Sequence, residues 1–282
     1  MLNVKHKEPL IDSFGADERH SDDPPMEEIA KGNFYRIIRG ECDSEHPQAR
    51  VFGGHVLAQA MSAAYYTAPE GFCIHSLHCY FVRGGEEDYP VTYKVTRLSS
   101  VTDNFVLSPA FPEGVPPPDN LKNDIQLRHE YLTQGYDLRD ARGVETSRMA
   151  PSVDVRPVDP ETFLHGSNGK HFKQMFWIRY KNTVDPEDYK LQHATLVYFS
   201  DLGPVSTGTL AHKERRFKLA TSMDHSAWIH DYRFNVNDWF LYEQECVANA
   251  KHRSLISGRM WSQDGRLIMT TTQEALVYKT KM

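Results

Sequence analysis

Behind the pair Gly53-Gly54 the chain runs Val56-Leu57-Ala58-Gln59-Ala60-Met61-Ser62-Ala63-Ala64-Tyr65-Tyr66, small and apolar on nearly every side. The double glycine breaks the preceding segment and opens a helix. A helix apolar all round is buried on most faces, and small side chains let a sheet wrap closely around it. Two strand-like stretches follow at 74–82 and 91–98; in the second, Val91, Tyr93 and Val95 alternate with polar residues. Residues 83–88 between them read as a turn, and a short strand is expected at 34–38.

The second half repeats this plan. A strand is expected at 175–179, then a helical stretch within 186–200 carrying Leu191, Ala194, Val197 and Tyr198, which ends at Asp201-Leu202-Gly203-Pro204. Strands follow at 227–230, 239–247, 255–262 and 266–278. Gln263-Asp264-Gly265 joins the last two as a hairpin turn, because Asp-Gly suits the positive φ angles of such turns. Ile74-His75-Ser76-Leu77-His78 opens the first sheet and Asp224-His225-Ser226-Ala227-Trp228-Ile229-His230 the second. Each unit is a helix followed by an antiparallel sheet that curls about it, an α+β arrangement.

The repeat is imperfect. After 239–247 the second unit has two long strands. After 91–98 the first passes through 99–108 into the proline-rich run Pro109-Ala110-Phe111-Pro112-Glu113-Gly114-Val115-Pro116-Pro117-Pro118. Either the first unit lacks about two strands, which leaves an unpaired sheet edge, or the halves were never alike; a loss is the reading adopted. The expected organisation is a polar N-terminal tail at 1–30, a truncated unit at 31–108, a polar linker at 109–150 with a helix within 125–136, and a second unit at 151–282.

Composition narrows the function classes. With 282 residues, 40% hydrophobic and 25% charged, the chain reads as globular. A formal net charge of −6 demotes general nucleic-acid binding. The four cysteines form no CxxC pair and are expected as free thiols. No run of 18 apolar residues suggests a membrane span, and the N-terminus has no secretory pattern. The ending Thr280-Lys281-Met282 keeps the small-basic-apolar character of a peroxisomal import tripeptide; otherwise a cytoplasmic location is expected.

Candidate chemistry gathers in the second unit. Asp201 ends the helical stretch, Ser222 or Thr221 begins the next strand, and Gln273 lies in the last strand. If Ala275 and Val277 face inward, so does Gln273. A buried amide, hydroxyl and carboxylate are costly unless they hydrogen-bond together. Together they orient a water for attack on a carbonyl, the carboxylate taking its proton. The same residues would equally make a satisfied polar network without catalysis. The run His212-Lys213-Glu214-Arg215-Arg216-Phe217-Lys218 is either a phosphate-binding loop or a solvated one. His75, His78, His225 and His230 lack companion ligands at metal spacing and read as core or surface histidines. No metal and no cofactor is called for.

The strings from His46-Pro47-Gln48 through Gly53-Gly54-His55 to Gln59-Ala60, and His75-Ser76-Leu77-His78, resemble the first half of the acyl-CoA thioesterase II family, peroxisomal members included. Val155-Arg156-Pro157, Trp177-Ile178-Arg179, Ser200-Asp201, the Asp224–His230 string, Gln263-Asp264-Gly265 and Gln273-Glu274 resemble its second half in the same order. The resemblance implies a tandem hotdog fold and hydrolysis of fatty acyl-CoA to free acid and coenzyme A by an oriented water, without a covalent intermediate. It places the water-positioning residues at Asp201, Ser222 and Gln273, with Thr221 the rival hydroxyl. Backbone N–H groups of Gly53, Gly54 and His55 would meet the oxyanion. The second reading is a catalytically impaired hotdog protein that binds acyl-CoA or a partner. A hotdog hydratase is disfavoured, since no Asp-x-Asn-Pro-x-His string occurs. Acyl-CoA is the expected substrate partner, and a homo-oligomer the expected assembly.

Overall fold

A computed structural model describes residues 52–68, 71–82, 108–136, 152–166, 172–210, 212 and 217–279. The expectations for the tail, for 34–38, 83–88 and 91–98, for the missing strands and for 280–282 lie outside the described residues.

In chain order the described elements are α1 (Gly53–Thr67), β1 (Ser76–Tyr80), α2 (Asp124–Thr133), β2 (Val153–Pro157), α3 (Pro160–His165), β3 (Lys173–Tyr180), α4 (Tyr189–Ser200), α5 (Pro204–Thr209), β4 (Phe217–Ser222), β5 (Asp224–Ile229), β6 (Phe240–Ala250), β7 (Arg253–Ser262) and β8 (Leu267–Lys279). The eight strands form one antiparallel sheet in the order β1-β5-β8-β7-β6-β3-β2, with β4 also paired to β8. First-half and second-half chain are therefore hydrogen-bonded to each other: His78 of β1 lies opposite Ser226 of β5.

The core is built around α4. Every residue from Gln192 to Ser200 is buried, as a helix with apolar residues on all faces must be. Asp188 caps its start by accepting the N–H of Leu191 at 3.0 Å. The small-residue face of α1 packs along α4, and Leu57, Ala58, Met61 and Tyr65 join the core formed by Leu196, Val197, Tyr198 and Phe199. The Tyr65 hydroxyl bonds His193 Nδ1 and accepts the N–H of Ile74 at 3.0 Å, tying the two helices together at one end. Burial lowers the His193 pKa to about 4, so the imidazole in this pair is neutral.

Four differences from the expected layout have local causes. The segment at 109–121 is no free polar bridge: Phe111, Val115 and Leu121 lie against Trp177, Trp239, Leu241 and Trp261 on the outer face of the sheet. Trp177 Nε1 donates to the carbonyl of Pro116 at 2.9 Å. Strand β2 emerges where no element was expected, its Val153, Val155 and Pro157 buried and the residues between them half-buried. Helix α5, composed of poor helix formers, is held by Pro204 at its first turn and by Ser206 and Thr207 hydroxyls donating to the Gly203 carbonyl at 2.7 and 3.1 Å. Finally, Phe217 and Lys218 belong to β4 rather than to a basic loop, and Ser222 ends that strand rather than beginning it.

Candidate active site

Along β8, Thr271, Gln273, Ala275 and Val277 point inward and are buried, the alternation a half-buried strand imposes. One edge of β8 is shared by two short strands. β5 pairs with residues 269–272 and β4 with residues 275–279. The chain crosses from one to the other at Met223, whose N–H donates to the Glu274 carbonyl at 2.8 Å. Asp224 pins this joint by accepting the Glu274 N–H at 2.7 Å. The joint brings Ser222 beside Gln273.

The register also separates the two candidate hydroxyls. Ser222 lies opposite Ala275, which faces inward with Gln273, whereas Thr221 lies opposite Leu276 on the other face. Cross-strand partners share a face. Gln273 Nε2 donates to Ser222 Oγ at 2.6 Å.

Asp201 reaches the same spot from the C-terminal end of α4, in cap geometry with φ −92° and ψ 2°. The turn after it is fixed by buried groups. Gln244 Nε2 donates to the Leu202 carbonyl at 2.6 Å, and Tyr242 donates to the Ser200 carbonyl at 2.7 Å. Gly203 takes φ +92°, and a Cβ there would come within 2.8 Å of Gln244 Oε1. The carboxylate of Asp201 lies against the first turn of α1, so close that a Cβ on Gly53 would stand 2.5 Å from Oδ2. The structure thus brings Asp201, Ser222 and Gln273 together, at the N-terminus of a helix from the other half of the chain.

The electrostatics follow from burial. Asp201 is 6% exposed, and Oδ1 meets no donor among the described residues. Desolvation raises its pKa from 3.8 to about 7; the Gly54 N–H and the Gln273 amide favour the carboxylate and limit the rise. A carboxylate poised near neutrality suits a general base. Cys79 of β1, facing the same region, is pushed up to about 11 by burial and by the nearby Asp201 and Asp224, so it stays a thiol.

His225, read from sequence as a core or surface histidine, is a member of this cluster. Its Nδ1 lies 2.6 Å from Gln273 Oε1 and its Nε2 2.9 Å from Ser200 Oγ. Burial lowers its pKa to about 4. The 3.9 Å approach of Nδ1 to Asp201 Oδ1 is therefore no ion pair. The alternation of His225 with Ala227 and Ile229, all inward, was the signal in the sequence. The expected oxyanion donors need correction: the His55 N–H is taken by the Phe52 carbonyl at 3.0 Å and the Gly54 N–H by the Asp201 carboxylate, which leaves Gly53. Of the basic run, His212 accompanies Asn249 at 3.0 Å and residues 213–216 lie outside the described residues. Among those residues no three of His, Cys, Asp or Glu stand close enough to share a metal ion.

A family model described as Acyl-CoA thioesterase C-terminal domain matches residues 126–277, and one described as Acyl-CoA thioesterase N-terminal domain matches residues 43–100. This chain belongs to the acyl-CoA thioesterase II family. It is 29% identical over 286 residues to human acyl-coenzyme A thioesterase 8, spanning 90% of this chain and 86% of that protein. To acyl-CoA thioesterase 2 of Haemophilus influenzae it is 31% identical over 276 residues, spanning 86% and 92%. The solved acyl-CoA thioesterase II of Mycobacterium marinum superposes with a TM-score of 0.63 at 25% identity, covering 82% of this chain and 91% of that one. The α+β hotdog architecture expected from the sequence is the one this acyl-CoA thioesterase II chain adopts.

Proposed function

We propose that this chain hydrolyses fatty acyl-CoA to free fatty acid and coenzyme A, with Asp201 as general base and Ser222 and Gln273 holding the attacking water. Family membership supports the reaction class. The observation that carries the residue assignment is the convergence of the three side chains at the ends of α4 and β4 and along β8, Asp201 and Gln273 buried and Ser222 half-buried. A carboxylate oxygen without a donor is costly in a buried site; a water bonded to Oδ1 relieves that cost and stands ready to give up a proton.

Chemically, the water oxygen attacks the thioester carbon as its proton passes to Asp201. The carbonyl oxygen becomes an oxyanion met by the Gly53 N–H at the start of α1, where the helix dipole also favours negative charge. Collapse expels the coenzyme A thiolate, which takes the proton back from Asp201. Electrons and protons balance without a covalent enzyme intermediate.

Thiol release from long-chain acyl-CoA, followed with a thiol-reactive dye, tests this reading. Wild type is expected to turn over, and Asp201→Ala, Ser222→Ala and Gln273→Ala to lose roughly 100-fold or more in kcat. A wild type that binds acyl-CoA without cleaving it would return the chain to the non-catalytic reading. The functional units are inferred as 31–108 and 151–282 joined by 109–150. The edges that β1 and β2 present within the described sheet support a homo-oligomer, which light scattering checks. A peroxisomal location is inferred from Thr280-Lys281-Met282; a fluorescent protein ending in those residues should reach peroxisomes.

A further inference from the structure

We propose that Asp224 is a positioning residue of the hydrolytic site: it holds a one-residue bulge that makes Ser222, in place of Met223, the residue facing inward beside Gln273. The inference rests on the hydrolytic reading above and adds to it the group that selects the hydroxyl.

β5 and β4 lie end to end along one edge of β8, with Ser226 opposite Thr272 and Ser222 opposite Ala275. Between these two pairs, Met223, Asp224 and His225 stand against Gln273 and Glu274 alone. The edge therefore carries one extra residue, a β-bulge, a device that re-aims a side chain. Along an unbroken strand, side chains alternate between the two faces. Continued from the inward-facing Ala227 and His225, that alternation would turn Met223 and Thr221 inward and Ser222 outward. The bulge moves the alternation by one residue and turns Ser222 inward, where its Oγ lies 2.6 Å from the Gln273 amide. A slip of one residue exchanges the face of every side chain beyond it.

The hydrogen bonds at the bulge show what holds it. The Glu274 carbonyl accepts the Met223 N–H at 2.8 Å. The Met223 carbonyl is turned to the other side and accepts the N–H of Phe81, just past the end of β1, at 2.8 Å. The Glu274 N–H, which a continuous antiparallel ladder would give to a main-chain oxygen, is taken instead by Asp224 Oδ1 at 2.7 Å. The Asp224 carboxylate thus supplies the acceptor that the bulge removes from the ladder. Without it a half-buried N–H loses its partner, which is costly. The continuous register, with Asp224 opposite Glu274 and Met223 opposite Ala275, restores a main-chain acceptor. It also carries the Ser222 hydroxyl out of the site.

The test uses the full chain and compares wild type, Asp224→Ala, Asp224→Asn and the double variant Asp224→Ala with Met223→Ser. Asp224→Ala should lose about 100-fold in kcat, the scale of a misplaced catalytic group, with KM little changed. Asp224→Asn keeps an oxygen for the Glu274 N–H and should recover most of that loss. The double variant places a hydroxyl opposite Ala275 in the slipped register and should regain roughly 10-fold over Asp224→Ala; a residue that merely stabilises the fold gives no such rescue. Wild-type kcat in Asp224→Ala, or a double variant no better than Asp224→Ala, overturns the proposal and leaves hydrolysis standing. A crystal structure of Asp224→Ala should show Met223 opposite Ala275; Ser222 still in that place overturns the proposal whatever the activity. An inert wild type removes the hydrolytic reading, and the site that Asp224 would serve goes with it. Independently of any variant's folding, NMR of wild type should show a coupling across the hydrogen bond from the Glu274 amide nitrogen to the Asp224 carboxyl carbon; a coupling to a main-chain carbonyl instead contradicts the proposal.

Discussion

Replacing Asp201 by Asn should make the protein more stable at alkaline pH while abolishing its chemistry. The side chain keeps its shape, and an amide oxygen can take the place of Oδ2 against α1 while the NH2 occupies the side where Oδ1 has no donor. What changes is the charge. In the folded protein the carboxyl titrates near 7, against 3.8 when exposed. Below pH 3.8 both states hold the proton and the group has no effect on stability. Between the two values the folded state holds a proton that the unfolded chain has released, so wild-type stability falls as pH rises. At about 1.4 kcal/mol for each pH unit, the gap between 3.8 and about 7 amounts to about 4 kcal/mol lost by pH 8. A water on the carboxylate reduces this, so about 2 to 4 kcal/mol is the expected advantage of Asp201→Asn at pH 8. For a chain of this size that is a rise in Tm of roughly 5 to 10 °C. Urea unfolding at pH 4, 6 and 8 for both proteins gives the measurement. The difference should be near zero at pH 4 and grow with pH. An Asn variant that is less stable at pH 8, or a difference that ignores pH, would refute the claim that burial strains this carboxylate.

Other consequences are read by simpler assays. Because the base must be unprotonated, kcat/KM should rise with pH to a plateau with a midpoint near 7, and at pH 5 it should lie roughly 100-fold below the plateau; a flat profile from pH 5 to 8 rules out Asp201 as base. Gly53→Ala places a methyl where Asp201 Oδ2 stands 2.5 Å away; the carboxylate must shift, and kcat should fall by about 100-fold, since misplacement of about 1 Å costs that much. Phe111→Ala uncovers Trp177 and Trp261, whose rings lie 6.3 and 6.0 Å from it; stability should drop by about 1 to 3 kcal/mol, with red-shifted tryptophan emission and unchanged kcat.

Much of the fold was legible because burial writes itself as periodicity. The small apolar run of α1, the buried stretch of α4 and the long strands β6, β7 and β8 fell where the alternation put them. Gln273 was legible for the same reason, two residues from Ala275 on an inward face, and Asp201 because it ends a helix. The rest depends on tertiary structure. Val153–Pro157 is short and carries a proline, so its strand character comes from pairing with β3. Pro204–Thr209 is helical because Pro204 starts it and the Ser206 and Thr207 hydroxyls bond back to the Gly203 carbonyl. Phe111 and Val115 looked like linker because their partners, Trp177 and Trp261, are far away in sequence. His225 looked inert because its partner Gln273 lies 48 residues on. The contact of Gly53 with Asp201 joins the two halves of the chain, and no local pattern announces it.

The central claim is that a water held by Asp201, Ser222 and Gln273 attacks the thioester directly. Single-turnover hydrolysis of palmitoyl-CoA in 18O-water, with enzyme in excess, tests it. The account expects one 18O in the released fatty acid on the first turnover and none in the carboxylate of Asp201, read from the peptide by mass spectrometry. Unlabelled acid on the first turnover, with label appearing in Asp201, would show that the carboxylate itself attacks and would contradict the account.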